Sequence, residues 1–385
     1  MNRAVKFIKN CFWLSSEEGE NKKEIYAFNT MRLIAFIFIF SNHVDAIVKI
    51  PWLQHAKLGV AFFFIISGFL NGYLNKSVDK LTIRNIVKYT KNKMAKIYPL
   101  FLFVIIAMAP RAGLFNVKNW SSLLSFLGKL IPGVTLTSSW INSQDHYFAF
   151  FGGIWYMSTF FFLIILTPVL IKIVTKIRDS NHGILKLIIL ASALYLSSMV
   201  WTWAMNKNTF FTYIFPPARI FEYFIGIIFG SIMATRPASI KQSKKLKKAS
   251  SEKIYYSCLE LGSILGVLGV AAIARICGDQ NLPVFLSRQG NIYTVPLIFM
   301  ICVFVKQKGV MSLILSNRPM VLLGRASMYL YLIHQPLIYS FRKLVPTAKG
   351  WTFSLYILII TIIISLYLYK HSKGKKNENR PSRTQ

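Results

Sequence analysis

The sequence predicts an all-α fold, a polytopic helical bundle with about ten transmembrane helices and both termini in the cytoplasm. Hydrophobic residues make up 54% of the 385 positions and the mean hydropathy is +0.47, which is too apolar for an ordinary soluble domain. Long apolar runs recur from residue 28 to residue 370, and most are long enough for a membrane-spanning helix. The lysines and arginines between the runs then set the orientation.

Ten apolar runs are the predicted spans. In chain order they cover residues 28–49, 57–75, 97–115, 152–174, 184–204, 217–235, 254–275, 291–305, 320–341 and 351–369. The ninth is the weakest of the ten, because Arg325 and His334 interrupt it. A polar arm precedes the first run and that run is long, so a cleavable signal peptide is not expected.

Basic residues are concentrated in the segments that a ten-span chain places on one side of the membrane. These segments are the N-terminal arm 1–25, the loops 76–96 and 236–253, and the tail 371–385. The positive-inside rule assigns that side to the cytoplasm, although the basic loop 342–350 departs from it. Residues 26–370 then form the membrane domain, and its largest outer loop, 116–151, carries a candidate interfacial helix.

The net charge of +33 does not indicate a nucleic-acid partner, because the lysines cluster in short loops between apolar runs. We expect contacts with anionic membrane lipid instead. A metal site is not expected, since the four cysteines are scattered and no pair of histidines has HxxxH or HExxH spacing. No oligomeric state is predicted.

The stretch MRLIAFIFIFSNHV of the first span contains two ionisable residues, Arg32 and His43. Eleven helical steps of about 100° come to about 1100°, within roughly 20° of three full turns, so both side chains lie on nearly the same face. Arg32 lies at the cytoplasmic edge, and His43 lies about 16 Å further along the axis, towards the outer side. This face offers a cation and a group that can take and return a proton. In the alternative interpretation, Arg32 reaches the lipid head groups and His43 is a packing residue.

Two later spans also carry polar groups at membrane depth, where a charge is costly. Arg219 and Glu222 are spaced i,i+3 in the sixth span, and they either neutralise each other or border a polar cavity near the outer surface. Tyr331 and His334 have the same spacing in the ninth span. Pro336 follows them and disturbs the helix, which is a common way to open a cavity in a membrane protein.

The second span contains the small pair Ser67 and Gly68, for which close helix packing is the default interpretation. Glu260 and Arg325 are weaker candidates for a polar site. The chain has neither a GxSxG elbow nor a Walker loop.

Six stretches, in order along residues 26–370, resemble motifs of the acyltransferase-3 family of integral membrane acyltransferases. MRLIAFIFIFSNHV looks like the family's first-helix signature, an arginine and a histidine separated by ten residues. FFFIISGFLNGY is similar to its second-helix element. KMAKIYPLF, GIWYMSTFFFLIILTPVL, ARIFEYFIGIIFG and LGRASMYLYLIHQPL resemble four later elements. Each match is weak alone, but six in the right order on correctly alternating spans are strong evidence.

The resemblance implies an O-acyltransferase of the bacterial cytoplasmic membrane. Such an enzyme moves an acyl group, most often acetyl from acetyl-CoA, from the cytosolic side to a hydroxyl of a cell-surface carbohydrate or its lipid-linked precursor. It implies that His43 is the catalytic base and that Arg32 aids catalysis by placing the donor, without a metal. The donor site implied in this way comprises Arg32, Lys93, Lys96 and Ser67, and the acceptor site Trp155, Arg219, Glu222, Tyr331 and His334.

The chain departs from the family pattern at two places. The family's Arg-x-x-Arg before the third span is Lys93 and Lys96 here, which keeps the charge but loses the bidentate fork. Many members have a glutamate five residues after the tryptophan of the fourth span, where this chain has Phe160. Glu222 or Asp45 is a conjectural replacement for that acid.

Two other functions remain open on the sequence. The intramembrane charges are also compatible with a transporter or flippase of an envelope glycan or amphipathic substrate, in which they line a path. A structural or interaction role predicts that Arg32 and His43 tolerate substitution. We expect the stand-alone form of the family, without the soluble esterase-like domain that some members carry.

Overall fold

The structure, a computed structural model, describes residues 24–44, 55–74, 80–234, 247–286, 290–347 and 350–378. Within these ranges the elements are helical, and no β-strand is formed. The helices are α1 (Tyr26–His43), α2 (Ala56–Leu74), α3 (Ile83–Met94), α4 (Tyr98–Met108), α5 (Trp120–Val134), α6 (Gln144–Tyr147), α7 (Ile154–Arg178), α8 (Gly183–Ala204), α9 (Ile220–Ala234), α10 (Lys247–Asn281), α11 (Thr294–Phe304), α12 (Val310–Leu315), α13 (Arg318–Arg325), α14 (Ser327–Leu344) and α15 (Trp351–Glu378).

The predicted all-α polytopic bundle is confirmed. In the described part of the chain, six helices are long and apolar enough to cross a membrane: Ala56–Leu74, Ile154–Arg178, Gly183–Ala204, Pro216–Ala234, Ser251–Gly278 and Trp351–Ser372. Two shorter apolar helices, Tyr98–Met108 and Asn291–Phe304, coincide with the third and eighth predicted spans. Helices α1 and α14 fall in the first and ninth. Each of the ten predicted spans therefore contains a helix, while the cytoplasmic placement of both termini stays a prediction.

The ninth predicted span, 320–341, is wrong as a single helix. Helix α13 ends at Arg325 and α14 begins at Ser327. The guanidinium of Arg325 donates two hydrogen bonds to the carboxylate of Glu24, at 2.9 and 2.8 Å. Glu24 precedes α1, so this pair connects the end of α13 to the start of α1.

Three predicted loops also contain helices. Residues 83–94 of loop 76–96 form α3, whose first turn is capped by the Thr82 hydroxyl. The candidate interfacial segment in loop 116–151 does form a helix, α5, which begins with a capping box between Asn119 and Ser122. The end of loop 236–253 already belongs to α10. Residues 1–23, 75–79, 235–246 and 379–385 of the predicted arm, loops and tail lie outside the described residues.

Glycines bring α2 and α9 into backbone contact at the centre of the bundle. A Cβ atom added to Gly68 would lie 2.1 Å from the Tyr223 carbonyl oxygen, and one added to Gly72 would lie 2.1 Å from that of Ile227. The same holds in reverse for Gly230, whose Cβ would lie 2.0 Å from the Phe69 oxygen. Both helices thus use a GxxxG spacing at one shared interface. The packing interpretation of the Ser67–Gly68 pair agrees with this contact.

The buried carboxylate of Glu260 has a structural role. Its oxygens accept hydrogen bonds from the backbone N–H groups of Gly309 (3.0 Å) and Ser312 (2.9 Å) and from the Ser312 hydroxyl. These groups begin α12, so a side chain of α10 caps that helix. Negative charge at a helix N-terminus is favourable, which explains an acidic group at complete burial.

Candidate functional site

The side chain of His43 lines a cavity of about 260 Å³ at the end of α1. The predicted topology places this end of α1 on the outer side of the membrane. Its aromatic walls are Phe148, Trp155, Tyr213, Tyr293 and Tyr331. Its other polar side chains are Asn42, His55 and Lys57. Six separate segments contribute these residues. They are α1, the start of α2, the start of α7 with the residues before it, the short segments that contain Tyr213 and Tyr293, and α14.

The imidazole of His43 is held by a side chain of α14. The amide nitrogen of Gln335 lies 2.7 Å from His43 Nε2 and 2.9 Å from Nδ1. The Gln335 side chain is deeply buried, and it fits because Gly152 faces it: a Cβ there would lie 2.7 Å from the amide nitrogen. The predicted base therefore has a defined polar partner 292 residues away along the chain.

The neighbouring His334 is held in one tautomer. Its Nδ1 lies 2.7 Å from the Tyr331 carbonyl oxygen and 3.2 Å from that of Leu330. A carbonyl only accepts, so Nδ1 carries a hydrogen, and in the neutral ring Nε2 carries the lone pair. That Nε2 is buried without a hydrogen-bond partner among the described residues. The ring centroid of His334 lies 5.2 Å from that of His43, so a second basic nitrogen adjoins the first.

Arg32 lies eleven residues earlier on α1, near the opposite end of the bundle. It is partly buried, and within the described ranges its charge interacts with the phenol of Tyr156 and the carboxylate of Glu24. The Tyr156 ring lies 4.9 Å from the Tyr331 ring, which in turn lies 5.8 Å from His334. The Tyr156 hydroxyl is buried with no hydrogen-bond partner in the described structure. A row of polar aromatic groups thus connects Arg32 to the cavity at His43.

Arg219 and Glu222 form the predicted ion pair, at 2.9 Å and almost completely buried. The Arg219 Nε also donates to the Tyr213 carbonyl oxygen at 2.8 Å, and its guanidinium stacks on the Tyr213 ring at 4.4 Å. Both earlier interpretations of the pair describe part of this arrangement. The two charges neutralise each other, and Arg219 holds one aromatic wall of the cavity.

Lys93 lies in a polar cluster away from the cavity. Its ammonium donates to Asn71 Oδ1 at 2.7 Å, and the Asn71 amide donates to the Tyr223 hydroxyl at 2.9 Å. Lys96 is exposed one turn further on, at the end of α3. Ser67 is partly buried on α2. The donor-binding role of these three residues stays a prediction.

The structure thus brings part of the predicted site together. His43, Trp155 and Tyr331 line one cavity, His334 contacts His43, and Arg219 with Glu222 lies behind Tyr213. Arg32, Lys93, Lys96 and Ser67 do not line that cavity. Phe160, at the position of the family glutamate, stacks on Tyr156 at 5.8 Å. Glu222 is committed to Arg219, and Asp45 lies outside the described residues.

Sequence reasoning missed Gln335, Tyr213 and Tyr293. Gln335 directly follows His334 in the stretch YLIHQPL, and a second polar residue beside an intramembrane histidine was the available signal. Tyr213 lies between the fifth and sixth predicted spans and Tyr293 lies at the start of the eighth, and no pattern in the sequence marks either as a site residue. The described ranges contain no group of three or more His, Cys, Asp or Glu residues that could hold a metal ion.

The fold and this site define a helical integral membrane protein with a half-buried histidine at an aromatic cavity. The sequence profile of the acyltransferase-3 family, described as an acyltransferase domain, matches residues 25–370. The chain therefore belongs to the acyltransferase-3 family of integral membrane acyltransferases.

Curated relatives agree with that membership. The O-acetyltransferase OatA of Staphylococcus aureus strain NCTC 8325 / PS 47 is 25% identical over 321 residues, which is 80% of this chain and 49% of the relative. OatA of Staphylococcus aureus strain MW2 gives the same identity and coverage. The chain thus spans about half the length of these relatives. No solved structure matches the chain.

Proposed function

We propose that the chain transfers an acyl group, acetyl in the first instance, from cytosolic acetyl-CoA to a hydroxyl of a cell-surface carbohydrate or its lipid-linked precursor. His43 is the base and Arg32 aids the binding of the donor. The observation that carries the proposal is the position of His43 in an aromatic cavity at one end of α1, with Arg32 near the other end. The relatives from Staphylococcus aureus, which are named O-acetyltransferases, favour acetyl and a bacterial cytoplasmic membrane.

The donor would enter from the Arg32 side. Acetyl-CoA carries phosphates on a nucleotide head and a long, thin pantetheine arm with two amides. A guanidinium is well suited to phosphate, and Lys93 and Lys96 add positive charge at the end of α3. Buried polar atoms without partners among the described residues, such as the Tyr156 hydroxyl, suit an arm that carries amide groups.

The acceptor would occupy the cavity at His43. Aromatic rings pack against the apolar faces of sugar rings, and the hydroxyls of tyrosine can bind sugar hydroxyls at the same time. The cavity combines five aromatic walls with polar groups such as Asn42 and Lys57. This mixture suits a carbohydrate better than an acyl chain or an ion.

The reaction step is a general-base transfer. The proton of the acceptor hydroxyl moves to the unprotonated nitrogen of His43, and the acceptor oxygen forms a bond to the acyl carbon. The carbon–sulfur bond of the thioester breaks, and the sulfur leaves as a thiolate. The thiolate takes the proton from His43, which returns to its neutral form. The products are an ester and free coenzyme A.

The experiment that tests this function uses the purified protein in lipid nanodiscs with radiolabelled acetyl-CoA and envelope glycans extracted from cells that lack the gene. We expect labelled ester on the glycan, or slow release of free coenzyme A when no acceptor is added. A transporter or flippase gives neither product with any acceptor, and instead moves labelled glycan across sealed proteoliposomes. That outcome would replace the proposed function.

Substitution of Arg32 is expected to weaken donor binding. For Arg32→Ala we expect the KM for acetyl-CoA to rise by about 10- to 100-fold, because a charge-assisted hydrogen bond to phosphate is lost. Arg32→Lys keeps the charge but not the bidentate guanidinium, so its KM for acetyl-CoA should lie between those of the wild type and Arg32→Ala. Initial rates against acetyl-CoA concentration provide the measurement. Arg84→Ala, an exposed arginine of α3, is the control. A KM unchanged in both Arg32 variants would assign Arg32 to the lipid head groups.

A further inference from the structure

We infer that Gln335 is a positioning residue for His43 and serves both protonation states of its imidazole. In the resting state its amide N–H donates to the unprotonated nitrogen of His43. In the reactive state the carboxamide is turned, so that its Oε1 atom accepts the imidazole N–H and the lone pair of His43 faces the cavity. This hydrogen bond is kept when His43 takes the acceptor proton. This inference rests on the proposed function, because it assigns Gln335 a part in the proton transfer from the acceptor.

The resting contact follows from distance and donor chemistry. The Gln335 amide nitrogen lies within 2.7 to 2.9 Å of both imidazole nitrogens of His43. A neutral imidazole has one N–H and one lone pair, so the amide can donate to only one of the two at a time. A small rotation of the ring selects which nitrogen is bound. In this resting state Gln335 binds the lone pair, and the nitrogen that faces the cavity carries the N–H.

The second state follows from an atom that has no use in the first. Gln335 Oε1 is buried and accepts no hydrogen bond from any described residue. A buried carbonyl oxygen without a donor is costly, so such atoms are rare unless a ligand, a water or another state of the protein supplies the donor. The N–H of the His43 imidazole supplies that donor in the reactive state, both before and after His43 takes the proton. A turn of the carboxamide exchanges its nitrogen for its oxygen.

The surroundings of Gln335 leave room for that exchange, and the described residues around His43 include no carboxylate that would compete for its N–H. Cβ atoms built on Gly152 would lie 2.7 Å from the amide nitrogen and 2.9 Å from Oε1, so a glycine there leaves room for either end. The ionisable or polar side chains that line the cavity with His43 or contact its ring are Asn42 of α1 itself and, from the other elements, His334, Tyr331, His55, Lys57, Trp155, Tyr213 and Tyr293. None of these described residues is a carboxylate. Gln335 Oε1 is thus a free acceptor on a side chain that already contacts His43.

His334 also favours the gain and loss of a proton by His43. The Nδ1–H of His334 is used by backbone carbonyls, and its buried Nε2 has no acceptor among the described residues that would stabilise a second N–H, so the neutral ring with a lone pair at Nε2 is the form that fits this site. An adjacent neutral histidine tolerates a proton on His43, whereas an adjacent imidazolium would repel it. Gln335 and His334 are sequence neighbours, and together they hold His43 in surroundings where it can gain and lose one proton.

Two substitutions of nearly the same size test the inference. Gln335→Met keeps the length of the side chain but removes its hydrogen-bond donor and acceptor. Because one hydrogen bond to a charged group is lost, kcat should fall by about 10- to 100-fold, with the KM for acetyl-CoA unchanged. Gln335→Glu places a carboxylate beside His43 and favours its protonated form. The acidic side of the kcat/KM profile should then move to higher pH, because His43 must be neutral to act as a base.

The control is Gln144→Met, at an exposed glutamine of α6, which should leave kcat and the pH profile unchanged. Thermal melting of each variant in nanodiscs shows that the protein is folded. The inference is overturned if Gln335→Met keeps its kcat, or if the pH profile of Gln335→Glu coincides with that of the wild type. Transfer by the wild-type protein in the same assay separates either result from a failure of the proposed function.

Discussion

His43→Ala is expected to lower the rate of acyl transfer by about 10²- to 10⁴-fold, the range that a positioned general base contributes. The side chain opens into the cavity, is bound by Gln335 and lies beside the lone pair of His334. Neither neighbour can replace it as a base: Gln335 has no titrating group, and the cavity lining does not include His334. The measurement is ester formation from labelled acetyl-CoA at equal amounts of folded protein.

His371→Ala is the matched control for that experiment. His371 is exposed near the end of α15 and stacks on Tyr367, so its loss should leave transfer unchanged. If His43→Ala retains transfer within about threefold of the wild type, a range too small for a lost general base, His43 is a packing residue and the proposed mechanism fails.

The second large effect is expected on stability. Gly230→Ala should destabilise the protein by about 3 kcal/mol, the upper part of the usual range for overpacking, because the new Cβ would lie 2.0 Å from the Phe69 carbonyl oxygen. Backbone atoms of α2 cannot move aside as a flexible side chain can. The helices must separate, and the contacts of Gly68 and Gly72 are then lost as well. Thermal melting in detergent measures the change.

Gly262→Ala and Gly266→Ala are the controls for helix packing. Both glycines lie on α10, and a Cβ at either would have no heavy atom within 4 Å among the described residues. These substitutions should stabilise the protein by up to about 1 kcal/mol, the helix propensity gained when alanine replaces glycine. Equal melting temperatures for Gly230→Ala and the controls would contradict the proposed contact between α2 and α9.

Much of the fold could be predicted from local features of the sequence. Apolar runs of sufficient length define membrane helices because the bilayer leaves the backbone few alternatives, and each of the ten runs contains a helix. The break between α13 and α14 could not be predicted in this way. At this break Arg325, the last residue of α13, donates a hydrogen bond to Glu24, which is 301 residues distant in the chain. The spacings GFLNG and GIIFG were visible, but which helix each would pack against was not.

The candidate site shows the same division. Helical periodicity placed Arg32 and His43 on one face of α1, and motif order added Trp155, Tyr331 and His334. The structure brings four of these five residues to the cavity or to His43 itself. The aromatic walls at Tyr213 and Tyr293 and the partner Gln335 come from turns and a distant helix. Tyr213, Tyr293 and Gln335 reach the site through tertiary packing, and a single sequence contains no periodic pattern that indicates such packing.

The most direct test of the central claim is transfer across a bilayer. Wild-type protein and His43→Ala are reconstituted in sealed proteoliposomes with labelled acetyl-CoA on one side and extracted envelope glycan enclosed on the other. The proposed function predicts hydroxylamine-labile label on the enclosed glycan with the wild-type protein, and a loss of that label with His43→Ala. Absence of ester with the wild-type protein, or equal label with both proteins, would contradict it.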